Sequence, residues 1–194
     1  MLWGSNIGLS ILMAFIDETL TFEDTKIIAE SGDEVMMSWE SAIMQKCAEF
    51  ICHNNGDVLE IGFGMGICSD YIQSQGVNSH TIIEIHPQII ERLNAWASDK
   101  SNVTVIEGDW NNVSGLSTYD GIFIDTYGDD SWANFKDFAL AKAKLGSKIT
   151  YWNNFIDNRN EHNFDSVTFE NISVTPDANE YFNNSVYNMP KVEL

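Results

Sequence analysis

Leu59-Glu60-Ile61-Gly62-Phe63-Gly64-Met65-Gly66 decides the fold. An apolar run ends in three glycines at alternate positions, and Ile67 to Gln75 follows with helical character. A strand that breaks into glycines and turns into a helix opens an α/β sheet. In such sheets ligands bind beyond the carboxyl ends of the strands, and glycine lets the backbone approach them. A pyrophosphate-binding fingerprint needs its last glycine at position 67, where this chain has Ile67, so a nicotinamide or flavin dinucleotide is disfavoured.

Working outward, Thr81–Ile85, Val103–Ile106, Gly121–Ile124 and Lys148–Trp152 read as further strands. Between them, Pro87 sits where a helix starts and its missing N–H costs nothing. Ile89, Ile90, Leu93 and Trp96-Ala97 then give that helix an apolar face, and Trp132–Ala143 reads as another helix. The alternation predicts a mostly parallel sheet covered on both faces. After Trp152 the pattern changes. Val167–Val174 and Tyr181–Tyr187 read as strands with little helix between, which predicts a C-terminal antiparallel hairpin and seven strands in all. Upstream, Asp33–Ile51 reads as a helix with Val35, Met36, Trp39, Ile43 and Cys47 on one side. The whole, 1–194, reads as one domain, with residues 1–55 a helical cover or lid and 56–194 a Rossmann-like core.

Composition narrows the partners. Apolar residues make up 44% of the chain, enough for a real core. With 29 acidic and 10 basic residues, the formal charge of −19 repels phosphate backbones and attracts cations, so no nucleic acid is expected and a cationic substrate suits the surface. Cys47, Cys52 and Cys68 are odd in number and lack metal-ligand spacing, as do the scattered His53, His80, His86 and His162. No metal site and no disulfide framework is expected, and a reducing cytoplasm is the default. The apolar stretch Ile7–Ile16 is too short to span a membrane, and the first basic residue is Lys26, so neither a membrane anchor nor a signal peptide is expected. It reads as a helix packed on the domain or folded over a pocket.

Three further strand ends carry chemistry. Glu84 closes the strand after the glycine loop, beside Ile85, where a carboxylate can accept from ribose hydroxyls. Gly108-Asp109-Trp110 closes the next, where a carboxylate beside a large ring suits an adenine amino group and its base. The fourth strand ends Phe123-Ile124-Asp125-Thr126-Tyr127, placing a carboxylate at the crevice. Enzymes that methylate amide or adenine nitrogens carry Asn/Asp-Pro-Pro-Tyr there, whereas this chain has Asp-Thr-Tyr-Gly.

These blocks resemble the guanidinoacetate N-methyltransferase and arginine δ-N-methyltransferase family. The resemblance covers Val35-Met36-Met37-Ser38-Trp39-Glu40 with Met44, the Gly62-Phe63-Gly64-Met65-Gly66 loop, Ile82-Ile83-Glu84 with His86-Pro87, Arg92-Leu93 and Trp96-Ala97, and Tyr119-Asp120-Gly121-Ile122 through Tyr127. It implies a class I, S-adenosylmethionine-dependent methyltransferase fold, with no metal and a small cationic guanidino acceptor. It implies that Glu40 and Asp125 grip the guanidinium and carry the catalysis. It further implies that Met36 and Met44 pack on the cofactor, and that Thr126, Tyr127 and the Asn153-Asn154 region, Asn153 foremost, lie near the acceptor's other end. Two departures stand out: the segment from Trp152 to Val167 is about one helix shorter than the family's, and Asn153-Asn154 replaces its Asn-Leu-Thr. Trp3 is the candidate for the family's lid Trp. The alternatives are a Mg²⁺-dependent O-methyltransferase of the catechol type, disfavoured because Asn153-Asn154 lacks the Asp of its Asp-Asn pair, and a non-catalytic S-adenosylmethionine-binding protein. The oligomeric state, monomer or homodimer, stays open.

Overall fold

The computed structural model describes residues 15–194. Trp3 and most of the Ile7–Ile16 stretch lie outside the described residues. Three short strands come first: β1 (Thr21–Phe22), β2 (Lys26–Ile28) and β3 (Glu34–Met37), paired in that order. A 3-10 turn (Ser38–Glu40) leads into helix α1 (Ser41–Ile51). The helix expected over Asp33–Ile51 is therefore a strand, a turn and a shorter helix, and residues 15–55 hold strands as well as helix. Val35 and Met36 fit helical spacing and strand alternation alike, and the antiparallel pairing of Ile27 with Met36 decides for the strand.

The core alternates as the sequence predicts: β4 (Asp57–Ile61), α2 (Ile67–Ser74), β5 (Ser79–Glu84), α3 (Pro87–Ala97), β6 (Val103–Glu107), β7 (Tyr119–Ile124), α4 (Phe135–Lys142) and β8 (Ala143–Tyr151). The helix expected from Trp132 begins as a 3-10 turn, Asp130–Asn134, and is α-helical only from Phe135. β9 (Thr168–Ser173) and β10 (Val186–Glu193) complete a seven-stranded sheet in the order β6-β5-β4-β7-β8-β10-β9. β4 to β8 run parallel, and β10 is antiparallel to both β8 and β9. The last strand lies later than the Tyr181–Tyr187 expected. Pro190 argues against a strand because it lacks an N–H, yet β10 pairs with β8 only at Val192 and Glu193. At Pro190 the link to β8 is instead the Thr150 hydroxyl, which donates to the Pro190 carbonyl at 2.6 Å.

Burial follows the pleat. Leu59, Ile61, Ile122 and Ile124 pack under α4 with Phe135 and Tyr151, while Val58 and Phe123 face α1 and α2 with Ile43, Met44, Cys47 and Ile72. Each such side chain taken fully out of water contributes about 1.5–3 kcal/mol. The strand order reverses between β4 and β7, which lie side by side in parallel with Ile61 opposite Ile124. A crevice therefore forms beyond their carboxyl ends, as open α/β sheets require. Among the described residues no helix is long and apolar enough to cross a membrane.

Candidate active site

A cavity of about 250 Å³ opens at that crevice, walled by the ends of β4, β5, β7 and β8 and by the segment after β6. Its floor is set at Gly62. This residue has φ +90°, and a Cβ there would collide with the Asp125 carbonyl, so only glycine lets β4 and β7 close at this level. The Gly62 N–H donates to the Ile83 carbonyl and the Asp125 N–H to the Ile61 carbonyl, each at 2.9 Å, which locks three strand ends together.

One side of the cavity is built on Glu84. Its Oε2 accepts the Phe63 N–H at 2.9 Å, and its Oε1 accepts the N–H groups of Ile85 at 2.8 Å and His86 at 2.9 Å. A carboxylate offers about four acceptor sites, so about one remains for a ligand, where the sequence suggested an acceptor for both ribose hydroxyls. Asp109 accepts the Asn111 N–H at 2.9 Å and the Asn112 amide at 2.7 Å, capping the 3-10 turn Trp110–Asn112. The Trp110 indole donates to Asp129 at 2.6 Å and meets Phe138 edge-on at 5.0 Å, so its ring is a fixed wall. Met36, Met44, Phe63, Gly64 and Ile85 line the same space, and the Met65 N–H points at Met36 Sδ at 3.1 Å. Met65 and Gly66 do not line the cavity; they shape the loop, with Gly66 entering α2 at φ +77°.

The other side belongs to Asp125 and Glu40. The Asp125 carboxylate lines the cavity. Burial, and then the nearby Glu40 and Glu60, push its carboxyl well above the usual range. Glu40 is 3% exposed. Its Oε1 accepts the Met37 N–H at 2.7 Å and the Tyr181 hydroxyl at 2.6 Å. Burial outweighs both bonds and pushes the carboxyl up to about 7. Thr126 and Tyr127 line this side too, with the Thr126 hydroxyl donating to Asp129 at 3.0 Å and the Tyr127 hydroxyl to Asp33 at 2.9 Å. Phe15, at the end of the N-terminal apolar stretch, packs on the Tyr127 ring at 4.9 Å and reaches the cavity.

Asn153 is not brought to the site. Its backbone N–H donates to the Tyr187 hydroxyl at 2.6 Å and its amide to the Asn188 carbonyl at 2.8 Å, while its Oδ1 accepts the Phe155 N–H at 2.9 Å. It pins the turn after β8, and its neighbour Asn154 lines the cavity instead. Sequence reading also passed over Tyr181, Asp129, Glu60 and Trp152, all on the lining. Glu60 alone left a trace, as a carboxylate inside an otherwise apolar strand.

The raised Glu40 carboxyl sets a first prediction. Unfolded, a Glu ionises near its ordinary 4.5; folded, Glu40 does so near 7. The folded state therefore binds the proton more tightly, and this stabilisation, complete below about 4.5, is lost as pH rises through 7. The span is worth about 3 kcal/mol at 1.36 per unit. Glu40→Gln keeps acceptors for Met37 and Tyr181 without the charge. The ligand-free variant is expected to melt several degrees above wild type at pH 8.5 and at about the same temperature at pH 5. A Tm difference that does not change with pH would refute the assignment.

The guanidinoacetate N-methyltransferase family model matches residues 13–175. The chain belongs to that family. It is 34% identical over 133 residues to protein arginine N-methyltransferase 2 of Aspergillus oryzae (strain ATCC 42149 / RIB 40), covering 64% of this chain and 32% of that one. It is 36% identical over 120 residues to the Saccharomyces cerevisiae (strain ATCC 204508 / S288c) protein of the same name, covering 55% and 29%. The family member described here thus spans about a third of the length of these relatives. In fold it is similar to spermidine synthase from Thermotoga maritima, with TM-score 0.65 at 12% identity, covering 90% of this chain and 72% of that one. It is also similar to precorrin-6y C5,15-methyltransferase from Geobacter metallireducens GS-15, with TM-score 0.59 at 16% identity, covering 81% and 88%. A third likeness is M. jannaschii TYW2 in complex with AdoMet, with TM-score 0.61 at 14% identity, covering 91% and 84%.

Proposed function

We propose that this chain is an S-adenosylmethionine-dependent N-methyltransferase that acts on a guanidino group, in a reducing, cytoplasmic setting. The observation that carries the reading is the facing of two environments across one cavity: a glycine loop with Glu84, Asp109 and Trp110 on one side, Glu40 and Asp125 on the other. The cofactor fits the first side on the chemistry present. Glu84 keeps about one acceptor site, Trp110 offers a fixed ring, and Glu60 has a fully buried oxygen, Oε1, with no partner among the described residues. A buried carboxylate oxygen without a donor is costly, and an ammonium group would satisfy it. Met36, Met44 and the Gly62–Gly66 loop would hold the remainder.

When bound, the cofactor supplies an electrophilic methyl group on a sulfonium. The residues of the chain account for the acceptor. A guanidinium has a pKa of roughly 13.8, so a neutral nitrogen near pH 7 lies about 9 kcal/mol uphill. Two carboxylates around it widen that gap, since opposite charge favours the protonated form. Asp125 and Glu40 therefore orient the cation rather than deprotonate it beforehand. Asp125 takes the proton that the nitrogen loses as it gains the methyl group, and the methylated product remains a cation between the same two groups. The remaining acceleration comes from alignment. Because burial raises both carboxyls, a cation entering the cavity drives them to ionise, so acceptor binding releases protons and, through Glu40, tightens as pH rises through about 7.

Calorimetry tests the reading. S-adenosylmethionine is expected to bind with micromolar affinity. A guanidino compound is expected to bind to the S-adenosylhomocysteine complex with a heat that depends on the buffer's ionisation enthalpy. Absence of binding of either cofactor form would reduce the glycine loop to a turn. Cofactor binding with no transfer to any guanidine would favour the non-catalytic reading.

A further inference from the structure

Tyr181 reaches the acceptor side from a stretch with no helix or strand of its own, between β9 and β10. Asn179 shapes that stretch. Its Oδ1 accepts the N–H groups of Tyr181 at 3.0 Å and Phe182 at 2.7 Å. Its amide donates to the carbonyls of Asp177 at 2.7 Å and Phe182 at 2.9 Å. This is the local turn that an Asn side chain favours. Phe182 anchors the turn from the other side, buried and stacked on Trp39 with ring centroids 5.6 Å apart. Between these fixed points the Tyr181 ring stands against Trp39 at 5.9 Å and Trp152 at 6.3 Å. Its hydroxyl donates to Glu40 Oε1 at 2.6 Å. Burial, and then the nearby Glu40, push that hydroxyl up, so it stays a donor. Glu40 arrives from a turn 141 residues earlier. Its Oε1 also holds the Met37 N–H at 2.7 Å, and among the described residues nothing bonds Oε2. With Oε1 clamped from two sides, Oε2 is the oxygen left for the cavity that Glu40 lines.

We infer that Tyr181 is a positioning residue for the acceptor: it fixes Glu40 with Oε2 toward the cavity, so that the entering cation meets a carboxylate already oriented. The inference rests on the reading of Glu40 as a ligand of the guanidino group and deepens it. A hydroxyl that donates to a carboxylate also favours its charged form. In Glu40 this bond works against the burial that pushes the carboxyl up to about 7, so without the hydroxyl the carboxyl stands higher still. The other titratable groups near Glu40 are Asp125 at the end of β7 and Tyr187 in β10, both raised in part by Glu40, and Glu60 of β4, which acts on Asp125. Substitution of Tyr181 leaves all three in place. The Met37 N–H alone then tethers Glu40, and the side chain is free to turn.

Tyr181→Phe tests this in the full chain, since it keeps the ring and its stacking and removes only the hydroxyl. Affinity for S-adenosylmethionine is expected to match wild type. Guanidinoacetate and arginine are titrated into the S-adenosylhomocysteine complexes of both proteins. The compound that wild type takes is expected to bind the variant about tenfold more weakly at pH 6.5, the worth of one hydrogen bond to a charged group. Most of that loss is expected to be recovered at pH 9, where Glu40 ionises in both proteins. Unchanged acceptor affinity would overturn the inference. So would a loss equal at both pH values, which would make Tyr181 a direct contact of the acceptor rather than a residue acting through Glu40. A second readout needs no acceptor. In a carbon-13 NMR titration of the ligand-free chain, with the Glu40 signal assigned through Glu40→Gln, its midpoint is expected about one unit higher in Tyr181→Phe. An unmoved midpoint would overturn the inference and leave guanidino transfer standing. A raised midpoint, in a wild type that binds no guanidino compound, would uphold the hold of Tyr181 on Glu40 and overturn the guanidino reading, and with it the role toward an acceptor.

Discussion

Asp125→Asn is expected to lower kcat for guanidino methylation by about 10²–10⁴-fold, the usual worth of a positioned general base, while S-adenosylmethionine binds nearly as in the wild type. The geometry separates the two effects. What Asp125 gives to the architecture is its backbone N–H, donated to the Ile61 carbonyl, and its carbonyl, packed against Gly62; both survive the substitution. What it gives to the cavity is a carboxylate that burial, Glu40 and Glu60 together push well above the usual range. Asparagine retains the shape and loses both the charge that orients a guanidinium and the site that takes its proton. The fold is not expected to suffer. As with Glu40, folding raises this group's pKa, so its ionisation costs stability, and its removal takes that cost away as pH rises. Lost turnover with a held or raised Tm is thus the signature of a group that acts on the acceptor. A variant with near-normal kcat would end the proton-acceptor role, and one that fails to bind cofactor would mean that Asp125 belongs to the other side of the cavity.

Much of this site was legible because its parts are local. The glycine loop, Glu84, Asp109 and Asp125 each follow a short apolar strand, and a parallel sheet brings such strand ends to one level without any knowledge of the packing. Glu40 is different. Nothing in its helix-like surroundings marks it, and only the family resemblance singled it out. Tyr181 was beyond reach. It bonds Glu40 across 141 positions of sequence, from a stretch that reads as the start of a strand but lies before β10. Asn153 shows the converse error. A polar residue just past a strand end reads as a site residue, yet Asn153 is 1% exposed and its amide and N–H hold the β10 side of the turn. The shift of the last strand from Tyr181–Tyr187 to Val186–Glu193 has a similar origin. Pro190 is a strand breaker by composition, and only the pairing with β8 shows that its missing N–H is not needed. Local chemistry was readable where the backbone alone sets the position, and not where a distant element does.

Glu84→Ala is expected to cost about 3 kcal/mol of stability and to weaken S-adenosylmethionine binding at least 100-fold, a larger loss than a ribose contact alone predicts. Three backbone N–H groups converge on this one carboxylate, from Phe63, Ile85 and His86. Removing it strands all three in a mostly buried setting, at about 1–3 kcal/mol for each that water does not reach. Phe63 and Ile85 are themselves on the cavity wall, so the same bonds that stabilise the fold also set the shape of the cofactor side. Glu84→Gln separates the contributions. It keeps one carbonyl oxygen for two of the N–H groups but turns an NH₂ toward the third, and it has no charge. It is expected to fall between wild type and Ala in Tm, and close to Ala in cofactor affinity. If instead the Ala variant loses affinity with an unchanged Tm, Glu84 is a ligand contact only, and the network that joins β4, β5 and the glycine loop is worth little. If Tm falls while affinity holds, the carboxylate is structural and the cofactor's ribose lies elsewhere.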